Sequence, residues 1–470
     1  MRPRDTIIVL AALTTAIGCE PATADDPTET RGAWLGPEAR GQWLITELEQ
    51  QNAGLSVEAR SAKYCKMAQT PFVFFRGSNH LFWHDLADDP RFEDFGGEPE
   101  TRIWLLGDLH PLNYGAFDND DGLVVYDLND FDEVVIGDYQ WDLWRMAAGL
   151  ALLAEEQGFS TGETEDFLDD FTEHYLDAMA GFRGNDGELG FAATAASSYG
   201  LLDDFLDDVE SSESRLEMLE DWTVLQGGVR VFDMQNPDLA AVDPAIVAQI
   251  QQAWPAYVAT TAGGLAADPD YFTIKDIAAV LNVGTGSLGV PRYYVLIEGP
   301  GPGQNNDRIL DLKRQGEPTG YGWLDAEAQA LLDGAVANHA ERTLAGYRAL
   351  VSDADDHLGW LSLADGNYSL RARSPYKKAF PVADLDTVVR FSKLAEQWGT
   401  ILAADHARAD KDHRPEVIAH SIDKQIDLRT DGEHAAFRAL VREVALDYRD
   451  QVVLDYGAFS AWWGQQQSCP

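Results

Sequence analysis

Two short apolar segments, residues 102–106 and 123–126, each run straight into carboxylates and amides. The first continues as Leu105-Leu-Gly-Asp-Leu-His-Pro-Leu-Asn-Tyr-Gly and the second as Val124-Val-Tyr-Asp-Leu-Asn-Asp-Phe-Asp-Glu. Apolar runs of this length bounded by turn residues read as buried strands, and the turn at Asn119-Asp-Asp-Gly predicts that the two frame a hairpin-like loop. One strand delivers Asp108 and, five residues later, Asn113; the other ends in acids. Hard oxygen donors converging in this way are what a magnesium phosphate site needs. A single Asp after a strand is ordinarily a turn or helix cap, so the ordered combination carries the signal.

The chain has 470 residues, more than one hydrophobic core usually organises, so two lobes are expected. An apolar content of 45% with 10% aromatic residues excludes generic disorder. Asp and Glu number 79 against 35 Lys and Arg, a net charge of −44. Such a field opposes broad binding to nucleic acid or to an anionic bilayer. The excess reads first as a solvated surface; a preference for cationic substrates is the sharper alternative.

Residues 1–19 carry Arg2 and Arg4, an apolar stretch at 7–13 and then Ala16-Ile-Gly-Cys19. This pattern reads as an export signal, and it resembles a bacterial lipoprotein signal in which Cys19 becomes the lipidated first residue, with Ala16 where Leu is more usual. The stretch is short for a membrane span, and the polar segment 20–33 reads as a tether. The expectation is an exported protein, held to a bacterial membrane by its N-terminal lipid on the periplasmic side or the cell surface. Cys65 and Cys469 then remain, either as one pair in an oxidising compartment or as two unpaired thiols.

Periodicity places two helices within residues 37–69, a loop entering a third helix over 72–87, and amphipathic helices at 141–156, 165–182 and 244–259. The run Leu201-Leu-Asp-Asp-Phe-Leu-Asp-Asp reads as a solvated helix face. From Thr273 to about Lys313 the chain is rich in Gly turns and β-formers. A long helix is predicted over 324–351, strands near 358–363 and 368–373, and helices to the end. The implied division is a larger lobe over 34–270, a smaller β-rich lobe over 271–380, and helices over 381–470 that return to the larger lobe.

Gly107-Asp-Leu-His-Pro-Leu-Asn resembles the catalytic loop of aminoglycoside phosphotransferases and choline kinases. The resemblance implies that Asp108 is the catalytic Asp, Asn113 the metal-binding Asn, and Asp130 of Asp130-Phe131 the metal-binding Asp. Asp127 and Asp132 are close rivals for that last role. Gly137-Asp138 and Trp141-Asp-Leu143 match the turn and helix start that succeed the metal Asp in those kinases, whereas Leu106 stands where many of them have a His that supports the loop. Val283-Gly-Thr-Gly-Ser-Leu-Gly289 precedes strand-like 292–297 and Arg308-Ile-Leu-Asp-Leu-Lys313. A strand after the glycines argues against a Rossmann fingerprint. The resemblance instead assigns Gly284, Gly286, Ser287 and Gly289 to a nucleotide-phosphate cover and Lys313 to phosphate contact. Glu327 and Glu341 are both open as the carboxylate partner of Lys313.

In kinase order these parts come first, yet here they follow Asp108. The implied fold class is therefore α+β: a protein-kinase-like, two-lobed fold with a mostly helical larger lobe, circularly permuted just before the catalytic loop. Permutation is tolerated where natural ends lie close on the surface. It predicts that the C-terminal segment, with Trp462 and Trp463 as anchors, packs against the helices around Cys65. The chain also resembles the bacterial family called domain of unknown function 2252 through Pro71-Phe-Val-Phe-Phe-Arg-Gly, the Asp108 loop, Asn129-Asp-Phe-Asp-Glu, Trp141-Asp-Leu-x-Arg145, the Gly loop with Lys313, and Leu402-Ala-Ala-Asp-His-Ala-Arg408. Arg145 reads as structural, and Arg76 is assigned no chemical role.

These resemblances imply ATP- and Mg²⁺-dependent transfer of a phosphoryl group to a hydroxyl of a small molecule, since little room for a long activation segment remains between Asp130 and Trp141. The alternative is a non-catalytic kinase-like protein that binds a nucleotide or another ligand. Asp108-Leu-His110 with Gly137-Asp138 faintly resembles a metallophosphoesterase, but the ten His residues show no metal spacing.

Overall fold

The computed structural model describes residues 37–261, 264–268, 270–281, 289–301, 303–466 and 469. The signal, the tether and three of the Gly-loop positions, Gly284, Gly286 and Ser287, lie outside the described residues.

The fold is mixed α+β. It opens with helices α1 (Pro37–Gln51) and α2 (Val57–Met67), as the period predicts. The expected loop at 72 is instead two short helices, α3 (Pro71–Gly77) and α4 (Asn79–Leu86). The Thr70 side chain accepts the Val73 amide and Pro71 opens the first turn, a strong local start that outweighs the bulky aromatic sequence.

Strand β1 (Arg102–Leu105) does not frame a hairpin with the second apolar segment. The hairpin is made by β2 (Tyr114–Asp118) and β3 (Val124–Leu128), with Tyr114 opposite Leu128, while β1 pairs antiparallel with β4 (Val135–Asp138). The Gly-Ala centre of β2 hides its strand character from the sequence. Two helices follow, α5 (Gln140–Glu156) and α6 (Thr161–Phe182), and then α7 (Leu201–Ser212), whose acidic run is solvated but whose Leu202, Leu206 and Val209 are buried.

Next come α8 (Arg215–Trp222), strands β5 (Thr223–Gln226), β6 (Val229–Phe232) and β7 (Leu239–Ala241), and α9 (Pro244–Val258). The β-rich stretch supplies β8 (Ile274–Val280), β9 (Arg292–Ile297) and β10 (Arg308–Gln315). The predicted long helix is two, α10 (Ala326–Ala335) and α11 (His339–Leu350). The Asn338 side chain accepts the Glu341 amide and Glu341 reaches back to the Ala337 amide, a reciprocal cap that starts a new helix within one apolar period. Strands β11 (Gly359–Leu363) and β12 (Gly366–Ala372) complete an antiparallel six-stranded sheet in the order β11-β12-β10-β9-β8-β7. The chain ends in α12 (Val388–Arg408), α13 (Ile422–Thr430) and α14 (His434–Gln466).

The largest apolar core runs through α1–α7, β1–β4 and α10–α14. A second packs α9 against one face of the sheet, with Trp254, Tyr257, Val295 and Leu310, and a third covers the other face with Met218, Phe232, Tyr294 and Ile309. Cover on both faces explains why every residue of β9 is buried. Where α12 crosses α6, a Cβ on Gly399 would stand 2.1 Å from the Phe171 carbonyl oxygen, so only glycine permits that approach.

The C-terminal segment packs beside α2, as expected. The ring of Tyr64 meets Phe459, Trp462 and Trp463 edge-on, and the Tyr456 hydroxyl donates to the Ala68 carbonyl. Cys65 and Cys469 form a disulfide with their Cα atoms 5.5 Å apart. Nearby, the buried Arg40 guanidinium joins Asp85 of α4 at 2.6 Å to Asp455 of α14 at 2.7 Å. Among the described residues no helix is long and apolar enough to cross a membrane.

Candidate functional site

The loop after β1 is fixed before any site chemistry is considered. Gly107 has φ +78°, and a Cβ there would fall 2.1 Å from the Glu133 carbonyl oxygen, so a side chain is excluded twice. At the start of α5, Asp142 accepts the amides of Leu106 and Gly107 at 2.6 and 2.9 Å. The Gly107 carbonyl accepts from Asn79 and from the Trp83 indole. The loop therefore does not depend on a His at position 106, where the Leu side chain is fully buried.

Held in this way, Asp108 faces a cleft of about 390 Å³ that Asn113, Asp130, Asp132, Glu133 and Gly289 also line. Arg145 of α5 donates its Nε to Asp108 Oδ1 at 2.7 Å, and its guanidinium lies 4.1 Å from the Phe75 ring centroid. Arg145 is structural, as its sequence context suggests, but the group it positions is the central carboxylate. Burial raises the Asp108 carboxyl to about 7, against the pull of Arg145 and with a further push from Glu133. Asn113 donates its Nδ2 to the Asp108 carbonyl at 2.8 Å, leaving the amide oxygen as its donor for a cation. Asp130, about half exposed, offers a second hard oxygen. Carboxylate and amide oxygens are the donor types that Mg²⁺ takes.

Lys313 on β10 reaches the same place from the sheet. It pairs with Asp132 and stands 3.9 Å from Asp130. Burial pushes the Asp132 carboxyl up, but the Lys313 ammonium and the Gln315 amide bring it below its ordinary value. Neither expected partner of Lys313 serves: Glu327 pairs with Arg102, and Glu341 is spent on the helix cap. The position on α11 that faces the cleft segment is Arg342, fully buried, which donates to the carbonyls of Val134, Asp132 and Gly316 at 2.5, 2.7 and 3.1 Å. Beside it, Phe131 stacks on Tyr347 with centroids 4.2 Å apart.

Of the two rivals to Asp130, Asp132 is engaged by Lys313 and Asp127 is elsewhere. Asp127 is buried, accepts the Leu128 amide, pairs with Asp405 and lies 3.7 Å from Arg408. Burial, and then the Asp127 carboxylate, push the Asp405 carboxyl well above the ordinary carboxylate range. The Leu402-to-Arg408 motif is thus structural: Arg408 also donates to the carbonyls of Leu350 and Glu188.

Three cleft residues escape a reading of the sequence. Lys63 of α2 is buried, and desolvation lowers its ammonium to about 8 although Glu133 and Asp108 oppose the shift. His80 is held near 3 by burial and by Lys63, hence neutral. Arg76, assigned no role, lines the cleft, donates to His110 Nε2 at 3.4 Å and feels the charges of Asp108 and Asp130. The Phe-Phe-Arg-Gly motif is a signal for Arg76; nothing local distinguishes Lys63 from the exposed cations of an amphipathic helix.

The metallophosphoesterase set does not assemble. Asp138 is consumed by the amides of Gly97 and Gln140 and the Thr101 hydroxyl, and His110 is buried against Arg76. The described residues that do crowd as metal-type ligands are Glu173, Asp177 and His434, on α6 and α14.

Replacing Arg145 with Met should leave the part-buried Asp108 carboxylate without its cation. The expected cost is about 3–5 kcal/mol of stability, read from denaturant unfolding, with the Asp108 titration moved to higher pH. An unchanged titration would separate Arg145 from Asp108.

Fold and cleft together define an α+β protein in which a loop carboxylate, an amide and a sheet lysine meet across a long sequence separation. The family model described as "Uncharacterized protein conserved in bacteria (DUF2252)" matches residues 57–462, and the chain belongs to that family. No curated protein and no solved structure matches it.

Proposed function

We propose that this protein is a phosphotransferase with a circularly permuted, kinase-like fold that transfers a phosphoryl group from ATP to a hydroxyl of a small molecule. One observation carries the reading. Asp108, Asn113 and Asp130, in catalytic-loop order with the β2–β3 hairpin between them, line one cleft, and Lys313 from β10, the second strand after the Gly loop, stands 3.9 Å from Asp130. The strand order β8-β9-β10-β12-β11, with α11 between β10 and β11, supports the same reading, since it is the order a kinase small lobe requires of the permuted chain.

In this mechanism Asp108 orients the acceptor hydroxyl and takes its proton as the oxygen attacks. Asn113 and Asp130 would hold Mg²⁺, which when bound neutralises charge on the nucleotide phosphates. Lys313 leaves Asp132 to contact a phosphate oxygen, and Lys63 and Arg76 add positive potential opposite Asp108. An Asp108 that titrates near 7 cannot accept a proton while it is itself protonated. The rate of ATP consumption with an accepted substrate should therefore climb from pH 6 to pH 8 with a midpoint at about 7. A rate flat over that range would remove Asp108 as the base.

A non-catalytic binding role is the second reading. It is supported by the ion pairs that already occupy Asp108 and Lys313, with Arg145 and Asp132. It predicts nucleotide binding with no consumption of ATP at any pH. Export as a lipid-anchored protein is proposed on the Ala16-Ile-Gly-Cys19 signal. Cys19→Ser should release the protein from the membrane fraction, and unchanged partitioning would end the lipoprotein assignment.

A further inference from the structure

On a chain with a net charge of −44, a local excess of cations needs a reason. A second pocket, of about 300 Å³, is lined by Arg215 at the start of α8, Arg308 on β10, Arg371 and Arg373 at the end of β12, and Lys377. Its carboxylates are mostly committed elsewhere. Asp311 is paired with Arg292, Asp355 with His357 and the Ala372 amide, and Asp120 accepts the Asp356 amide. Asp118 reaches Arg215 at 3.5 Å.

Among the described residues, no carboxylate forms an ion pair with Arg308, Arg371, Arg373 or Lys377. Arg371 donates to the Asn129 carbonyl and Arg308 to the Asp307 carbonyl. Arg373 lies 4.7 Å from the Trp222 ring centroid, with its buried Nε unpartnered. Burial and the neighbouring Arg215 hold Arg308 below its ordinary value. Like charges gathered in a partly desolvated pocket repel one another, and a bound anion removes that repulsion.

We propose that this pocket binds a small molecule carrying two or more phosphoryl groups. Guanidinium forks match phosphoryl oxygens two at a time, and several forks around one pocket select several such groups. The volume suits a small molecule. The pocket is distinct from the Asp108 cleft: the space between them, lined by Asp130, Asp311, Lys313, Tyr347 and Arg371, is about 30 Å³, room for water and not for a phosphoryl group. The proposal therefore does not rest on the kinase reading.

Calorimetric titration with inorganic tripolyphosphate in metal-free buffer tests it. The wild-type chain should bind, and the double variant Arg215→Gln, Arg308→Gln should bind about tenfold more weakly or worse, as loss of two charged donors implies. Lys377 is exposed at the rim, so Lys377→Gln, which threatens folding least, should also weaken binding. Arg449→Gln, on α14 and outside the pocket, should leave the affinity unchanged. Absence of binding by the wild type, equal affinity in the pocket variants, or an equal loss in Arg449→Gln would overturn the proposal. Citrate bound as tightly as tripolyphosphate would overturn the phosphoryl assignment.

Discussion

Asp108→Asn should reduce phosphoryl transfer by about 10²–10⁴-fold, the usual contribution of a positioned base, while nucleotide binding persists. The amide keeps the shape of the carboxylate beside Arg145, so the loop held by Asp142 and Gly107 stays in place. Asp130→Asn should behave differently. It removes the exposed anionic oxygen of the donor set and leaves Lys313 paired with Asp132, so Mg²⁺-dependent nucleotide binding should fall along with turnover. Steady-state rates and binding titrations on both variants check this contrast. If the two substitutions gave the same phenotype, the division between a base and a metal ligand would be wrong.

Breaking the disulfide should have the largest effect on stability. Cys65 and Cys469 are separated by 404 positions, and the chain-entropy model gives about 6 kcal/mol for closing a loop of that size. The contacts of Tyr64 with Trp462 and Trp463 and the Arg40 bridge to Asp455 would remain to hold α14, so a Cys469→Ser protein should fold but unfold at markedly lower denaturant. Unfolding curves under oxidising and reducing conditions measure the difference. Coincident curves, or two free thiols in peptides from non-reduced protein, would contradict the bridge.

How much of the molecule is legible in the sequence depends on how local the governing forces are. Asp108 and Asp130 stand out because each lies just past an apolar segment, where a strand fixes the next residues, and Asn113 because it follows Asp108 by five positions. Lys313 is legible for the same reason at the end of β10, but its partner is not: Asp132 meets it only through tertiary packing. Arg342 looks like any residue of an amphipathic helix until α11 docks on residues 132–134. The break between α10 and α11 is hidden because the Asn338 cap competes with an apolar period that runs through it. The sequence leaves the Cys65–Cys469 pair as one of two outcomes, and it is the packing of Trp462 and Trp463 on Tyr64 of α2 that brings both cysteines together.

A nucleotide site built by Asn113, Asp130 and Lys313 is read out by calorimetric titration of the protein with a non-hydrolysable ATP analogue, with and without Mg²⁺. Binding should be saturable and Mg²⁺-dependent, and Lys313→Ala should weaken it without unfolding the chain. A correctly folded wild-type protein that binds no nucleotide with any divalent cation would contradict such a site.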